Sequence, residues 1–181
     1  MVKRAALLLA MFMIVSRSAG AVSVGAEVFG GLALPVLQPT SDQGTKFGVR
    51  LPVRLIPMIS AEPFFVRSNL GDKTETLGGL TYVRNGGKFT GYGLNVKFGG
   101  VSAPGLGFFP YAGVGSYKFE RTGAADETDV GYDLGLGLQL SPAPKFAISL
   151  RGELDALVTG STSRKFADVT VGVSYNFLSL P

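Results

Sequence analysis

The sequence predicts an all-β fold, an eight-stranded antiparallel up-and-down transmembrane β-barrel that follows a cleaved signal peptide. Three observations carry this expectation. Hydrophobicity alternates with period two, not 3.6, over residues 22–177. The breaks between alternating runs are turn-rich, and they divide the chain into eight runs of strand length. The composition is apolar and glycine-rich, with 17% charged residues and 26 Gly in 181, against roughly 25% charged and 7% Gly in ordinary soluble domains.

The first element is an address. Lys3 and Arg4 precede the uninterrupted apolar run AALLLAMFMIV at residues 5–15, which is shorter than the ~20 residues of a spanning helix. Ala19 and Ala21 flank Gly20 in the small-x-small pattern of a signal peptidase site, so residues 1–21 read as leader and 22–181 as one barrel domain. Lys3, Arg4 and Arg17 leave with it. Of 17 basic residues 14 remain, against 13 acidic ones. The net charge of +4 therefore falls to +1, which gives no basis for binding nucleic acid.

The strands follow in order. Val22, Val24, Ala26 and Val28 face away from Ser23, Gly25, Glu27 and Phe29. Residues 46–56 place Phe47, Val49, Leu51, Val53 and Leu55 against Lys46, Gly48, Arg50, Pro52, Arg54 and Ile56. In residues 59–69, Glu62 and Arg67 have opposite parity, which implies a bulge or an Arg67 above the core. Thr90, Tyr92, Leu94, Val96 and Phe98 oppose Phe89, Gly91, Gly93, Asn95 and Lys97. Residues 108–121 carry aromatics on both parities, and Ala112 and Val114 are expected on the apolar face. In residues 128–140, Val130, Tyr132, Leu134, Leu136, Leu138 and Leu140 oppose Asp129, Gly131, Asp133, Gly135, Gly137 and Gln139. Residues 145–158 alternate most clearly: Arg151, Glu153 and Asp155 share one face, while Ile148, Leu150 and Leu154 take the other. The last strand sets Ala167, Val169, Val171, Val173, Tyr175 and Phe177 against Asp168, Thr170, Gly172, Ser174 and Asn176.

The connections at Pro57-Met58, 99–107 and 141–144 carry no charge, whereas those at 35–45, 70–87, 122–126 and 159–165 carry most of the charge outside the strands. Asn85-Gly86-Gly87 signals a hairpin between 80–84 and 88–92. It is expected to form a ribbon extending the second loop, because a closed up-and-down barrel needs an even number of strands.

Alternation does not say which face is inside. A soluble lipocalin-like barrel turns its apolar face inward, and a membrane barrel turns it outward. The polar faces are rich in Gly, Ser, Thr and Ala, which suit a lumen only wide enough for packed side chains. Their charges balance in sign and fall at related heights, as buried charges must. The expected lumen network comprises Glu27, Arg50, Arg54, Glu62, Lys97, Asp133, Arg151, Glu153, Asp155 and Asp168, with Arg151 beside Glu153 and Asp155. The apolar runs reach the about 9–11 residues of a membrane strand. Phe47, Phe89, Tyr117, Phe119, Phe146, Tyr175 and Phe177 stand near strand ends, where an interfacial girdle belongs.

The leader, the eight alternating strands and the final run Ala167-Asp168-Val169-Thr170-Val171-Gly172-Val173-Ser174-Tyr175-Asn176-Phe177 resemble the small bacterial outer-membrane β-barrels. These are the outer membrane protein A-type eight-stranded transmembrane domain and its short relatives. Pro110-Tyr111-Ala112-Gly113-Val114-Gly115 is similar to that family's central strand. The resemblance implies the outer membrane of a Gram-negative-type bacterium, with membrane lipid and lipopolysaccharide as surroundings. It also implies recognition of the last strand by the barrel-assembly machinery, a role it assigns to Tyr175 and Phe177. In this chain Leu178-Ser179-Leu180-Pro181 follow the aromatic.

Zero His and zero Cys exclude the usual general base, thiol nucleophiles, thiolate zinc sites and disulfides. Barrel enzymes of the resembled kind rely on histidine, so no enzyme is expected, and no cofactor or metal. Glu153 with Asp155 could bind a hard cation, but a lumen ion network is the expected role. Eight strands exclude a wide porin, which takes about 16. The expected function is a structural, monomeric barrel with a plugged polar lumen, touching surface partners through its loops. The alternatives are a narrow channel or small-ligand transport barrel, and the soluble lipocalin-like binder.

Overall fold

A computed structural model describes residues 23–36, 42–84, 86–99, 105–120, 126–159 and 162–179; the signal peptidase residues Ala19 and Ala21 lie outside them. The described chain forms β1 (Ser23–Val36), β2 (Asp42–Arg50), β3 (Val53–Ile56), β4 (Ile59–Gly71), β5 (Lys73–Leu77), β6 (Leu80–Arg84), β7 (Gly87–Phe98), β8 (Gly105–Glu120), β9 (Glu127–Ala143), β10 (Phe146–Thr159) and β11 (Thr162–Ser179). Each wall strand pairs antiparallel with its sequence neighbour, and β11 returns to pair with β1. The sheet therefore closes into an eight-stave barrel with no free edge. The second stave is β2 and β3 together, held between β1 and β4.

That stave is interrupted where the sequence predicts one continuous strand. Pro52 has no N–H for the ladder, so the pairing breaks at Leu51-Pro52. The wall stays bonded there: the Leu51 amide donates to the Pro63 carbonyl at 2.9 Å, and the Gly25 amide to the Pro52 carbonyl at 2.9 Å.

The alternating faces are resolved as apolar outward. Leu134, Leu136, Leu150 and Leu154 are 65%, 55%, 47% and 61% exposed, whereas the intervening Arg151 is 1% exposed. Ala112 and Val114 take the outer face as expected. No bulge is needed in β4, whose register with β7 runs unbroken from Ile59↔Phe98 to Leu70↔Gly87. Arg67 stands on the outer face opposite Phe47 and Thr90, near the loop end.

Two expectations are corrected. Phe89, Tyr117 and Phe119 do not belong to an outer girdle; they are buried inside with Phe29, Val66, Leu157 and Phe166. This apolar layer fills the loop-side part of the lumen. Phe47, Phe146, Tyr175 and Phe177 do face outward. The ribbon after β4 exists as a separate two-stranded sheet of β5 and β6. Its turn, however, is Gly78-Gly79, at φ 59° and 85°, the left-handed pair that a two-residue hairpin requires. Gly87 instead opens β7 opposite Leu70.

Inward aromatics on β8 need space on β9, and glycine supplies it. Phe109 and Tyr111 pair across the ladder with Gly137 and Gly135. A Cβ on either glycine would run into the facing ring.

Candidate functional site

Below the apolar layer the lumen holds a two-part ionic network. Its turn-side part joins six of the eight staves. Glu27 on β1 accepts from Arg50 at 2.8 Å, from Arg151 at 3.0 Å and from the Ser149 hydroxyl at 3.2 Å. Arg151 on β10 crosses the barrel and donates to Glu62 on β4 at 2.7 Å. Lys97 on β7 pairs with the same carboxylate at 3.1 Å and donates to Gln139 at 3.2 Å. Rings brace these cations: Arg50 lies 3.6 Å from the Phe29 centroid, Arg151 lies 5.0 Å and 5.1 Å from those of Phe109 and Tyr111, and Lys97 lies 4.7 Å from that of Phe109.

The loop-side part is organised by Lys46, which the sequence reading placed on the polar face of its strand without assigning it to the network. Its ammonium donates to Glu153 at 2.5 Å, to Asp155 at 2.7 Å and to Asp168. Arg151 therefore does not hold Glu153 and Asp155, as the sequence suggested. It turns instead to Glu27 and Glu62, and Lys46 reaches the acids from β2, two staves from Asp168 on β11. The Tyr111 hydroxyl donates to Glu153 at 2.8 Å and joins the two parts.

Nine of the ten expected lumen residues are thus buried inside the barrel, and eight of them share ion pairs. Asp133 is buried beside Asp155 in the cross-strand register, yet neither carboxylate oxygen has a hydrogen-bond partner among the described residues. Arg54 stands apart, half-buried at the turn end. Lys46 and Tyr111 were legible only as inward parity, since the partner of a lumen side chain lies across the barrel and not along its strand.

The chemistry on offer is charge compensation. The carboxylates of Glu153, Asp155 and Asp168 lie close enough together to hold a metal ion, but the Lys46 ammonium already bridges all three. An ammonium bonded to three buried carboxylates lacks the free lone pair of a general base.

A family model for the outer membrane protein β-barrel domain matches residues 5–177. No curated protein matches in sequence. Among solved structures, Neisserial surface protein A is similar at TM-score 0.56 and 16% identity, covering 88% of this chain and 100% of its own. The N-terminal β-barrel domain of Pseudomonas aeruginosa OprF is similar at TM-score 0.54 and 16% identity, covering 87% and 100%. Ail, the attachment invasion locus protein of Yersinia pestis, gives TM-score 0.52 and 16% identity, covering 88% and 100%.

Proposed function

Because the chain belongs to the outer membrane protein β-barrel domain family, we propose that it is a structural, integral protein of the bacterial outer membrane whose lumen is plugged by its own side chains. The observation that carries this reading is Arg151, which spans the lumen between Glu27 and Glu62 at 1% exposure. An eight-stranded barrel leaves room for packed side chains and no aqueous channel, and this one fills that room with rings and ion pairs. The reading includes no enzymatic activity, in keeping with a chain that lacks His and Cys and whose candidate acids are tied to Lys46.

The test has two arms. In cell fractions the protein is expected in the outer membrane, with heat-modifiable migration on gels. Reconstituted in potassium-loaded vesicles, it is expected to leave ion efflux at the protein-free rate. Recovery as a soluble periplasmic protein overturns the membrane reading, and sustained efflux favours the narrow-channel reading.

Two surroundings fit the outer face. The outward charges on the described staves, Arg67, Lys88, Lys118, Glu120 and Lys165, all lie towards the loop end, and four of the five are basic. This distribution suits lipopolysaccharide phosphates above an uncharged apolar band. At the other end Tyr175 and Phe177 are 41% and 56% exposed, available to the barrel-assembly machinery. Phe177→Ala is expected to slow assembly, read as a larger unfolded fraction on the same gels.

A surface-contact role is favoured by the β5–β6 ribbon. It exposes Leu80, Tyr82 and Val83 at 62%, 51% and 62%, outside the barrel sheet. Deleting the ribbon is expected to leave the barrel folded and to abolish binding to any cell-surface partner found.

A further inference from the structure

At the turn end the lumen opens into a cavity of about 30 Å³. Its lining follows from the register. Ser23 pairs with Arg54, Arg54 with Ser60, and Ser60 with Lys97, so one inward row crosses β1, β3, β4 and β7. Asn176 of β11 lies at the mouth, and Glu27 lines the cavity from within. Ser60 and Lys97 are buried, whereas Ser23, Arg54 and Asn176 are half-buried. The floor is therefore enclosed and the mouth open.

The charges of the lumen are not evenly shared. The turn-side part sets two carboxylates, Glu27 and Glu62, against four cations, Arg50, Arg54, Lys97 and Arg151. The loop-side part sets Glu153, Asp155, Asp168 and the neighbouring Asp133 against Lys46 alone. Positive charge is thus in excess at the turn end. Both oxygens of Glu27 are bonded to arginines, and no carboxylate among the described residues pairs with Arg54. A half-buried guanidinium without a counter-ion, flanked by hydroxyl and amide donors, is the donor set of an oxyanion site: the planar fork suits two oxygens and the hydroxyls the others.

We propose that this turn-end vestibule binds a small oxyanion from solvent, of the phosphate, sulfate or carboxylate class, with Arg54 as its main ligand and Ser23, Ser60 and Lys97 alongside. The site needs no opening of the Arg151 crossing, because it lies on the solvent side of that plug. It faces along the barrel axis, away from lipid, so free anions are its natural occupants.

The test is isothermal titration of the refolded full barrel with sodium phosphate, sulfate and acetate in turn, at ionic strength held constant with chloride. At least one is expected to give saturable binding; the three arms tell tetrahedral from planar oxyanions. Arg54→Gln is expected to weaken it about tenfold or more, the loss of a charged hydrogen-bond donor. Arg54→Lys should fall between, and Lys118→Gln on the outer face should match wild type. Removing Arg54 orphans no carboxylate, so the variant should fold, as heat-modifiable migration checks. Should it not fold, the Arg54→Lys barrel carries the comparison: saturable binding weaker than wild type supports the site, and wild-type affinity overturns it. Absence of saturable heat with all three anions overturns the proposal, as does wild-type affinity in a folded Arg54→Gln barrel.

Discussion

Arg151 on β10 and Glu62 on β4 meet across the lumen at 2.7 Å, with 1% and 0% of their side chains exposed. They are 89 residues apart in sequence, and only closure of the sheet brings them together. The pair is therefore a direct reporter of the closed barrel.

Removing Arg151 leaves Lys97 as the single cation on Glu62 and Arg50 as the single cation on Glu27. Stranding a buried charge typically costs about 3–5 kcal/mol. Arg151→Met should lower the urea midpoint of the refolded barrel by an amount in that range. Glu62→Leu with Arg151→Met should lose less than the two single changes added together, because both changes remove the same ion pair, while Lys97 loses its carboxylate in Glu62→Leu and in the double variant alike. Strict additivity in the double-mutant cycle contradicts the pairing.

Lys46 carries a heavier load, since three acids depend on one ammonium. Lys46→Met should destabilise the barrel at least as much as Arg151→Met. It should also turn the three carboxylates into a site that gains stability from millimolar calcium. Thermal unfolding with and without calcium checks this. Equal calcium response in wild type and variant contradicts it.

Leu136 and Leu150 point outward and are half-exposed on adjacent staves. Arginine in place of either should cost about 2–4 kcal/mol near the bilayer midplane, measured by unfolding of the barrel in lipid vesicles. Tolerance of both changes means the faces are reversed.

The ring of Phe109 lies over Gly137. Gly137→Leu should cost about 1–3 kcal/mol by overpacking, and Phe109→Ala should return part of that loss in the double variant. Urea unfolding of the three variants reads both effects.

Much of the barrel was legible because period two is a local signal. Each residue's parity places it inside or outside, so Leu150 and Arg151 separate correctly on sequence alone. Loops were less legible. The Asn85-Gly86-Gly87 signal is a sound turn motif, but Gly78-Gly79 closes the ribbon, and a turn motif does not say which strands it joins. The inward aromatics Phe89, Tyr117 and Phe119 were misplaced because nearness to a strand end suggests a girdle, whereas parity, the stronger constraint, sends them inward. The ionic partners were the least legible. Parity put Lys46, Arg151 and Glu153 in the lumen, but their pairing depends on strand tilt and on which walls face each other. Those are properties of the closed sheet and leave no trace in any single strand.

A membrane-spanning barrel must present its apolar face to lipid. The chain has no cysteine, so Leu150→Cys and Leu154→Cys each place one nitroxide label on a single outward face of β10. Power-saturation spectroscopy in lipid vesicles then compares collisions with oxygen, which dissolves in the bilayer, and with a water-soluble nickel chelate. The structure predicts high oxygen and low nickel accessibility at both positions. Nickel accessibility exceeding that of oxygen at both would contradict the orientation of the barrel wall and, with it, the membrane assignment.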